Sequence, residues 1–370
     1  MSKPKILFYP NTGYKAQFFL RMLWPAEQLA LNGYEVQVKD PRSVGEWNPH
    51  FMLKDFTNAD IIVTHQPKNK SDMTMFEAVK MLDKKLVVDS DDYALGVDVS
   101  NPAYGAVGMK PVDGLWHEGV QLNSDAAYKR HVNMLKIMRD SDACSYTTDT
   151  LAGLYDSFVP KDEVYVLPNS LKLSHYKKWE RRAPEDRVNI VWQGGGSHTA
   201  DLDLILKPLY DITKKYPQVK VITFGDNHPD LESALGDRAE HHSWVESDTF
   251  YVKIGSLDAD INLCPLVDTM FNKGKSNLKM LEAGVFGVPS ICSGTPHGPY
   301  NARDDCDDRI LVANKPEAWF GAMERLIVNE ELRRTMGDRA REFTEAVYNI
   351  EHNWKYWAEC FDTLHKRLVD

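Results

Sequence analysis

Cysteine is scarce in this 370-residue chain, with five at positions 144, 264, 292, 306 and 360. The number is odd and no two stand at the short spacing of a metal knuckle, so neither a disulfide frame nor a structural zinc site is expected. Long apolar runs are also missing. None approaches the 18 residues of a membrane-spanning helix, and Met1 to Pro10 reads as a strand rather than as a leader peptide. A cytoplasmic protein is the expectation. Positive charge is in deficit, 44 Lys and Arg against 54 Asp and Glu, a net −10 that disfavours global attraction to nucleic acid or to an anionic membrane. Local basic patches remain open at Lys68, Lys70, Lys84 and Lys85, and at Lys177, Lys178, Arg181 and Arg182, although such runs are usually solvated faces.

What is present is ordinary globular composition, 43% hydrophobic and 26% charged, in a chain long enough for two domains. Short β-branched runs alternate with segments of helical period. KILFYP, YEVQVKD, ADIIVTHQP, KKLVVDSDD, ACSYTT and EVYVLPNS read as strands, with helices between most of them. After a charged stretch at about residues 174 to 187, the pattern repeats through NIVWQGGG, VKVITFGD, ADINLCPL and VPSICS. Between the two units of strand and helix the expected boundary falls at about residue 178. The first domain then covers 1–178, the second 179–347, and a final helix at about 348–370 returns to the first domain. Each is expected to be a parallel sheet covered on both faces, an α/β, Rossmann-like, doubly wound domain. The carboxyl ends of two such sheets, facing each other, form a cleft for ligand. The Gly- and Pro-rich stretch from Gly96 to Asn123 reads as a long functional loop.

The densest functional signal is DINLCPLVDTMFNKGKSNLKMLEAGVFGVPSICS, residues 260 to 293. It places Lys273, Lys275, Ser276, Asn277 and Lys279 in a loop and first helical turn, where free backbone amides favour an anion such as a diphosphate. Glu282 follows Lys279 by three residues, so its carboxylate could accept from a ribose diol beside that diphosphate; the plainer reading is a Lys279–Glu282 salt bridge. A second signal is WQGGGSHTADLDLI, where Gly195 and Gly196 allow close backbone approach and His198 could donate to a leaving phosphate. Neither glycine cluster is a nucleotide fingerprint of another kind. Thr199 breaks the dinucleotide pattern begun at Gly194, and Thr269 stands where a P-loop needs its first glycine.

The stretch 260–293 resembles the donor site of group-1 (family 4-like) retaining glycosyltransferases of GT-B fold, in a bacterial and phage subgroup. WQGGGSHTADLDLI and VVDSDDYALGVDVSNP (residues 87–102) are similar to segments of the same subgroup. The resemblance implies that Glu282 holds ribose, that Ser276, Asn277 and Leu278 hold the phosphates, and that Trp244 and Val245 contact the base. Gly13, in the first strand-to-helix loop, matches a turn facing the phosphates. The family's frequent additional glutamate falls on Gly274, a departure that weakens any assignment of that acidic role.

His65, at the end of ADIIVTHQP, is expected to project into the cleft toward the donor sugar. Asp91 is expected beside the reacting sugar, and Asp92 with Trp116 beside the acceptor. Asp89 and Asp91 could be read as a metal pair, but the phosphate loop supplies a metal-free way to hold a diphosphate, so no metal or other cofactor is expected. The implied activity is transfer of a sugar from a nucleoside diphosphate sugar, UDP- or GDP-linked, to an acceptor hydroxyl. Lys275, Lys279 and His198 would meet charge on the leaving phosphate. The acceptor is left open among glycan, lipid, protein and modified nucleic-acid base. An epimerase, a hydrolase or a silent nucleotide-sugar binder on the same fold remains the alternative, and a phage source would place the protein in the host cytoplasm.

Overall fold

A computed structural model describes residues 2–10, 13, 15–41, 49–98, 101, 104, 116–117, 120–121, 124–176, 186–300 and 310–369. The first sheet contains β1 (Lys5–Tyr9), β2 (Glu35–Val38), β3 (Ile61–His65) and β4 (Lys85–Ser90). A small antiparallel pair, β5 (Trp116–His117) with β6 (Val120–Gln121), stands apart from it. The sheet resumes with β7 (Ala143–Tyr146) and β8 (Val164–Val166). Its order is β2-β1-β3-β4-β7-β8, parallel throughout. Ile61, Ile62 and Val63 in β3 and Leu86, Val87 and Val88 in β4 are all fully buried, as a strand covered by helices on both faces requires.

The second sheet comprises β9 (Val188–Gly194), β10 (Val219–Gly225), β11 (Ala239–Ser243), β12 (Ile261–Cys264), β13 (Ser290–Cys292) and β14 (Ile310–Val312). It runs β11-β10-β9-β12-β13-β14, again parallel, so the strand order reverses at β9, beside β12. Ligands of such sheets bind outside the strand ends at that reversal. Two strands are absent from the sequence reading. AEHHS in β11 is polar and only half buried because it is an edge strand, and β14 has three residues.

DLDLILKPLYDITKKY reads as one helix but forms two, Thr199–Asp203 and Leu206–Lys215. Pro208 accounts for the break: without an N–H it is tolerated only in the first turn of a new helix. At the opposite end of the chain, helix Ile350–Val369 lies on the first sheet, with Trp357 and Phe361 ring centroids 6.1 and 6.0 Å from Phe8. One apolar cluster runs across the two sheets at the hinge. Trp24, Tyr176, Tyr251 and Leu281 belong to it, with Tyr176 and Tyr251 ring centroids 4.8 Å apart. The linker predicted at 174–187 falls outside the described residues from 177 to 185, and so do Lys177, Lys178, Arg181 and Arg182. None of the helices among the described residues is long and apolar enough to cross a membrane.

Candidate active site

On the second domain the site forms where β9 and β12 end. Gln193, the penultimate residue of β9, donates from Nε2 to Glu282 Oε2 at 2.6 Å, and both side chains are buried. The Glu282 carboxylate thus takes its hydrogen bond from Gln193, not from Lys279. Burial pushes the Glu282 carboxyl up to about 7, against the opposing pull of Gln193 and Lys279. Lys279 lies one turn earlier, its Nζ 5.7 Å from the Trp192 ring centroid, and burial brings its ammonium down to about 8. A carboxylate that ionises with difficulty and a lysine that loses its proton easily are groups short of solvation. Both would gain from a ligand offering hydroxyls to one and an anion to the other.

The loop from Val267 to Ser276 is held from beneath by Asp201, which the sequence reading left out. Its Oδ1 accepts from Val267 N at 2.7 Å and Asn272 Nδ2 at 2.9 Å, while Oδ2 meets His198 Nδ1 at 2.6 Å. This corrects the role expected of His198. Burial and the Lys279 ammonium lower it to about 3, so the ring is neutral with its proton on Nδ1, facing Asp201. Nε2 then carries a lone pair, and His198 can donate to a phosphate only after a proton arrives with the anion. Gly196 also differs from expectation, because its N–H already donates to Asp226 Oδ2. The other Asp226 oxygen accepts from Trp244 Nε1 at 2.9 Å, so one carboxylate fixes both the glycine loop and the indole. Trp244 is 47% exposed with its ring stacked near Phe250, while Val245 packs into the cluster of Val191, Ile222 and Phe224. Trp244 therefore offers a free aromatic face, whereas Val245 offers mainly backbone. A Cβ at Gly195 would meet only Asp226 Oδ2, at 3.5 Å.

On the first domain the site centres on a buried chain of charge. Arg21 stands in the turn Phe18–Leu23, where Trp24 N–H reaches back to Phe19 O. Its guanidinium donates to Asp89 Oδ2 at 2.9 Å and Oδ1 at 2.6 Å, to Leu167 O at 2.5 Å and to Asn169 Oδ1 at 3.2 Å. Asp89 also accepts from Ser145 Oγ and binds His65 Nδ1 at 2.9 Å, and His65 Nε2 reaches Asp91 Oδ1 at 3.1 Å. Burial works against each carboxylate, but Arg21 and His65 hold Asp89 well below the usual range, and His65 does the same for Asp91. Burial would lower His65 too, yet Asp91 and Asp89 raise it to about 9. His65 is thus a buried imidazolium with both nitrogens taken, rather than a side chain projecting freely into the cleft.

A stability consequence follows with definite sign. A histidine whose folded value lies above its unfolded value of about 6.5 adds stability that is full below pH 6.5 and is lost as pH rises through the folded value. The Tm should fall between pH 6.5 and 9 by the equivalent of about 3 kcal/mol, and a His65→Asn variant should lose that slope. A slope that persists in the variant would reject this account of His65.

The two halves meet at the loop from Asn272 to Ser276. Lys275 Nζ lies 3.4 Å from Asp92 Oδ1 and 4.2 Å from the Phe271 ring centroid. Asn169 Nδ2 donates to Ser276 Oγ at 2.9 Å, and Asn101 Nδ2 to Ser197 O at 3.2 Å. Burial raises Asp92, with Lys275 opposing. Asn277 precedes the helix Leu278–Gly284, and Leu278 and Met280 pack onto the apolar cluster at the hinge. Gly13 lies in open space, where a Cβ would meet nothing within 4 Å. Trp116 is described only as part of β5, its side chain outside the described residues, as is most of the loop 96–123.

Two parallel six-stranded sheets with a polar, anion-ready junction between their carboxyl ends can be compared with known proteins. Residues 203–359 match the family described as "Glycosyl transferase-like". A glycosyltransferase from Rickettsia africae superposes with a TM-score of 0.66 over 99% of this chain and 100% of that one, at 13% identity. The sucrose-phosphate synthase of Thermosynechococcus elongatus gives 0.65 over 100% and 99%, at 15% identity. HepE of Anabaena, in complex with UDP-glucose, gives 0.62 over 98% and 100%, at 11% identity. The chain has the GT-B fold, and residues 203–359 of it are similar to that glycosyl transferase-like family. Among curated proteins none matches by sequence.

Within this GT-B frame the departure at Gly274 has a physical reason. A Cβ there would lie 2.8 Å from Tyr93 Cβ and 3.1 Å from Leu151 Cδ1, both in the first domain. A glutamate has no space at this position. The glycine is what lets the loop from Asn272 to Ser276 close against Tyr93, where Lys275 reaches Asp92. Of the residues the sequence reading missed, Asp201 had a signal, three positions beyond His198. Gln193, a polar residue in an otherwise apolar strand end, had another. Arg21 and Asp226 had none, since their partners are remote in the chain.

Proposed function

We propose that the protein transfers a glycosyl group from a nucleoside diphosphate sugar to an acceptor hydroxyl, with retention at the anomeric carbon and without a metal. The observation that carries this reading is the approach of Lys275 in one domain to Asp92 in the other, with the buried Gln193–Glu282 pair and Lys279 on the helix that follows Lys275. Glu282, steadied by Gln193, accepts from the ribose hydroxyls. Trp244 lies beside the base, its indole plane set by Asp226. Lys275, Lys279 and the free amides of Ser276 to Lys279 receive the diphosphate and meet the charge that grows on it as the sugar leaves. Lys275 must give up Asp92 to do so, which frees that carboxylate for a sugar or acceptor hydroxyl. Arrival of the dianion also favours a proton on His198, turning it into a donor.

Thermal unfolding tests the reading with UDP, GDP, ADP and dTDP and their sugar conjugates. One nucleotide at about 100 times its dissociation constant should add about 2.7 kcal/mol. Glu282→Ala should remove most of that gain. A panel without any shift, or a shift indifferent to Glu282, would sink the assignment. Product analysis with donor alone separates transfer from the epimerase and hydrolase alternatives, which convert the donor with no acceptor present.

A further inference from the structure

Lys68, Lys70, Lys84 and Lys85 do not form one patch. Lys85 starts β4, at the amino end of the first sheet, with Lys84 just before it, and both are occupied: Lys84 Nζ donates to Thr57 O at 3.1 Å and Lys85 pairs with Asp142 at 3.0 Å. Lys68 instead leaves the carboxyl end of β3, on the cleft side. Gln66, two residues before it, adopts φ +41, a strained value for a residue with a side chain. Its Nε2 holds that turn against the other wall of the site, donating to Ser90 Oγ at 3.1 Å, Asp91 Oδ1 at 3.3 Å and Asp92 O at 3.3 Å.

The helix Ser124–Asp140 brings a second cation to the same place. Asn133 Nδ2 donates to Lys68 O at 3.4 Å, and Arg130 stands one turn before Asn133, about 5 Å along the helix. Among the described residues neither the Lys68 ammonium nor the Arg130 guanidinium has a carboxylate within ion-pair distance. Burial, and then the Arg130 charge, depress the Lys68 ammonium, which Asp72, Asp91 and Asp92 only partly offset. The two cations repel, and the carboxylates about Lys68 offset that only in part, the Arg130 guanidinium standing exposed at the rim. An anionic ligand relieves that repulsion.

We infer that Lys68 and Arg130 form an anion subsite on the first domain, and that the acceptor carries a phosphate or carboxylate beside the hydroxyl presented to Asp91 and Asp92. This rests on the transferase reading for the word acceptor, but the subsite itself can be tested without it. Glycerol 3-phosphate, glycerate and neutral glycerol serve as probes, at constant ionic strength, on the free protein and on protein saturated with UDP. The charged probes should bind in both states and glycerol should not. A Lys68→Gln/Arg130→Gln double variant should weaken glycerol 3-phosphate by about tenfold or more, the loss expected for charge-assisted bonds, while UDP affinity stays within about twofold. Lys68→Arg should retain most of the affinity, which a mere change of surface shape would not predict. Equal response to glycerol, or a double variant that binds as the wild type, overturns the subsite. Absence of UDP binding alongside a variant-sensitive glycerol 3-phosphate response removes the donor reading and leaves the subsite standing.

Discussion

Replacing Lys279 by alanine should lower kcat/KM by about 10²- to 10³-fold, the usual loss when one preorganised donor to a developing anion is removed. The size follows from its surroundings. Lys279 is short of water, near the Trp192 face, and no carboxylate lies within ion-pair distance of its ammonium among the described residues, so its charge is held ready for a phosphate. The same burial makes it titrate at about 8. Since the protonated form is the active one, kcat/KM should decline about tenfold per pH unit above that value. On the acid side Glu282, raised to about 7, must lose its proton to accept from ribose, so activity should rise through that region. The two groups interact, so the bell belongs to the pair. Lys279→Arg, which keeps its charge at every accessible pH, should flatten the alkaline limb while the acid limb remains. Steady-state kinetics from pH 5.5 to about 10 would check both limbs, and an alkaline limb unchanged in the arginine variant would assign it elsewhere.

Arg21→Ala should be the most destabilising single substitution in the first domain. The guanidinium is fully buried, and its removal leaves the Asp89 carboxylate with only His65 and Ser145, while Leu167 O and Asn169 Oδ1 lose a donor. Breaking a buried pair from one side costs about 3–5 kcal/mol. For a domain of this size that corresponds to a Tm lower by about 10 °C. Arg21→Lys should recover little, because a single ammonium cannot supply the fork that grips both Asp89 oxygens and Asn169 at once. Calorimetry of the three proteins decides it; a lysine variant as stable as the wild type would show that charge alone, without geometry, is what Asp89 needs. Because Asn169 also holds Ser276, Arg21→Lys should in addition weaken donor binding, a loss that a purely structural residue would not cause.

Much of the second domain was legible in the chain because its signals are local. Buried parallel strands read as apolar runs, Gly287 sits at φ +70 just past the helix it follows, and the Lys275–Glu282 stretch places its polar groups within two turns. The two edge strands β11 and β14 were not legible, since a half-buried or three-residue strand has no hydrophobic period to show. Nor was the break at Pro208 read, although proline's missing N–H is itself a local cue.

The site divides in the same way. Residue types and spacing along the sequence were enough to nominate Lys275, Lys279 and Glu282, because Lys279 and Glu282 share a helix face and Lys275 lies in the short loop leading into that helix. Their charge states were not in the sequence. That His65 is an imidazolium, that His198 is neutral, and that Asp226 already occupies the Gly196 amide are consequences of burial and of partners far along the chain. The contact of Gly274 with Tyr93, and the placing of Lys68 beside Arg130, likewise exist only once two sheets and their helices are packed. Sequence by itself determined which groups could carry charge, and where along each strand end they fall. Tertiary structure decided which of them keep it, since solvation and pairing, which set a proton's affinity, depend on what is brought near and how much water is left.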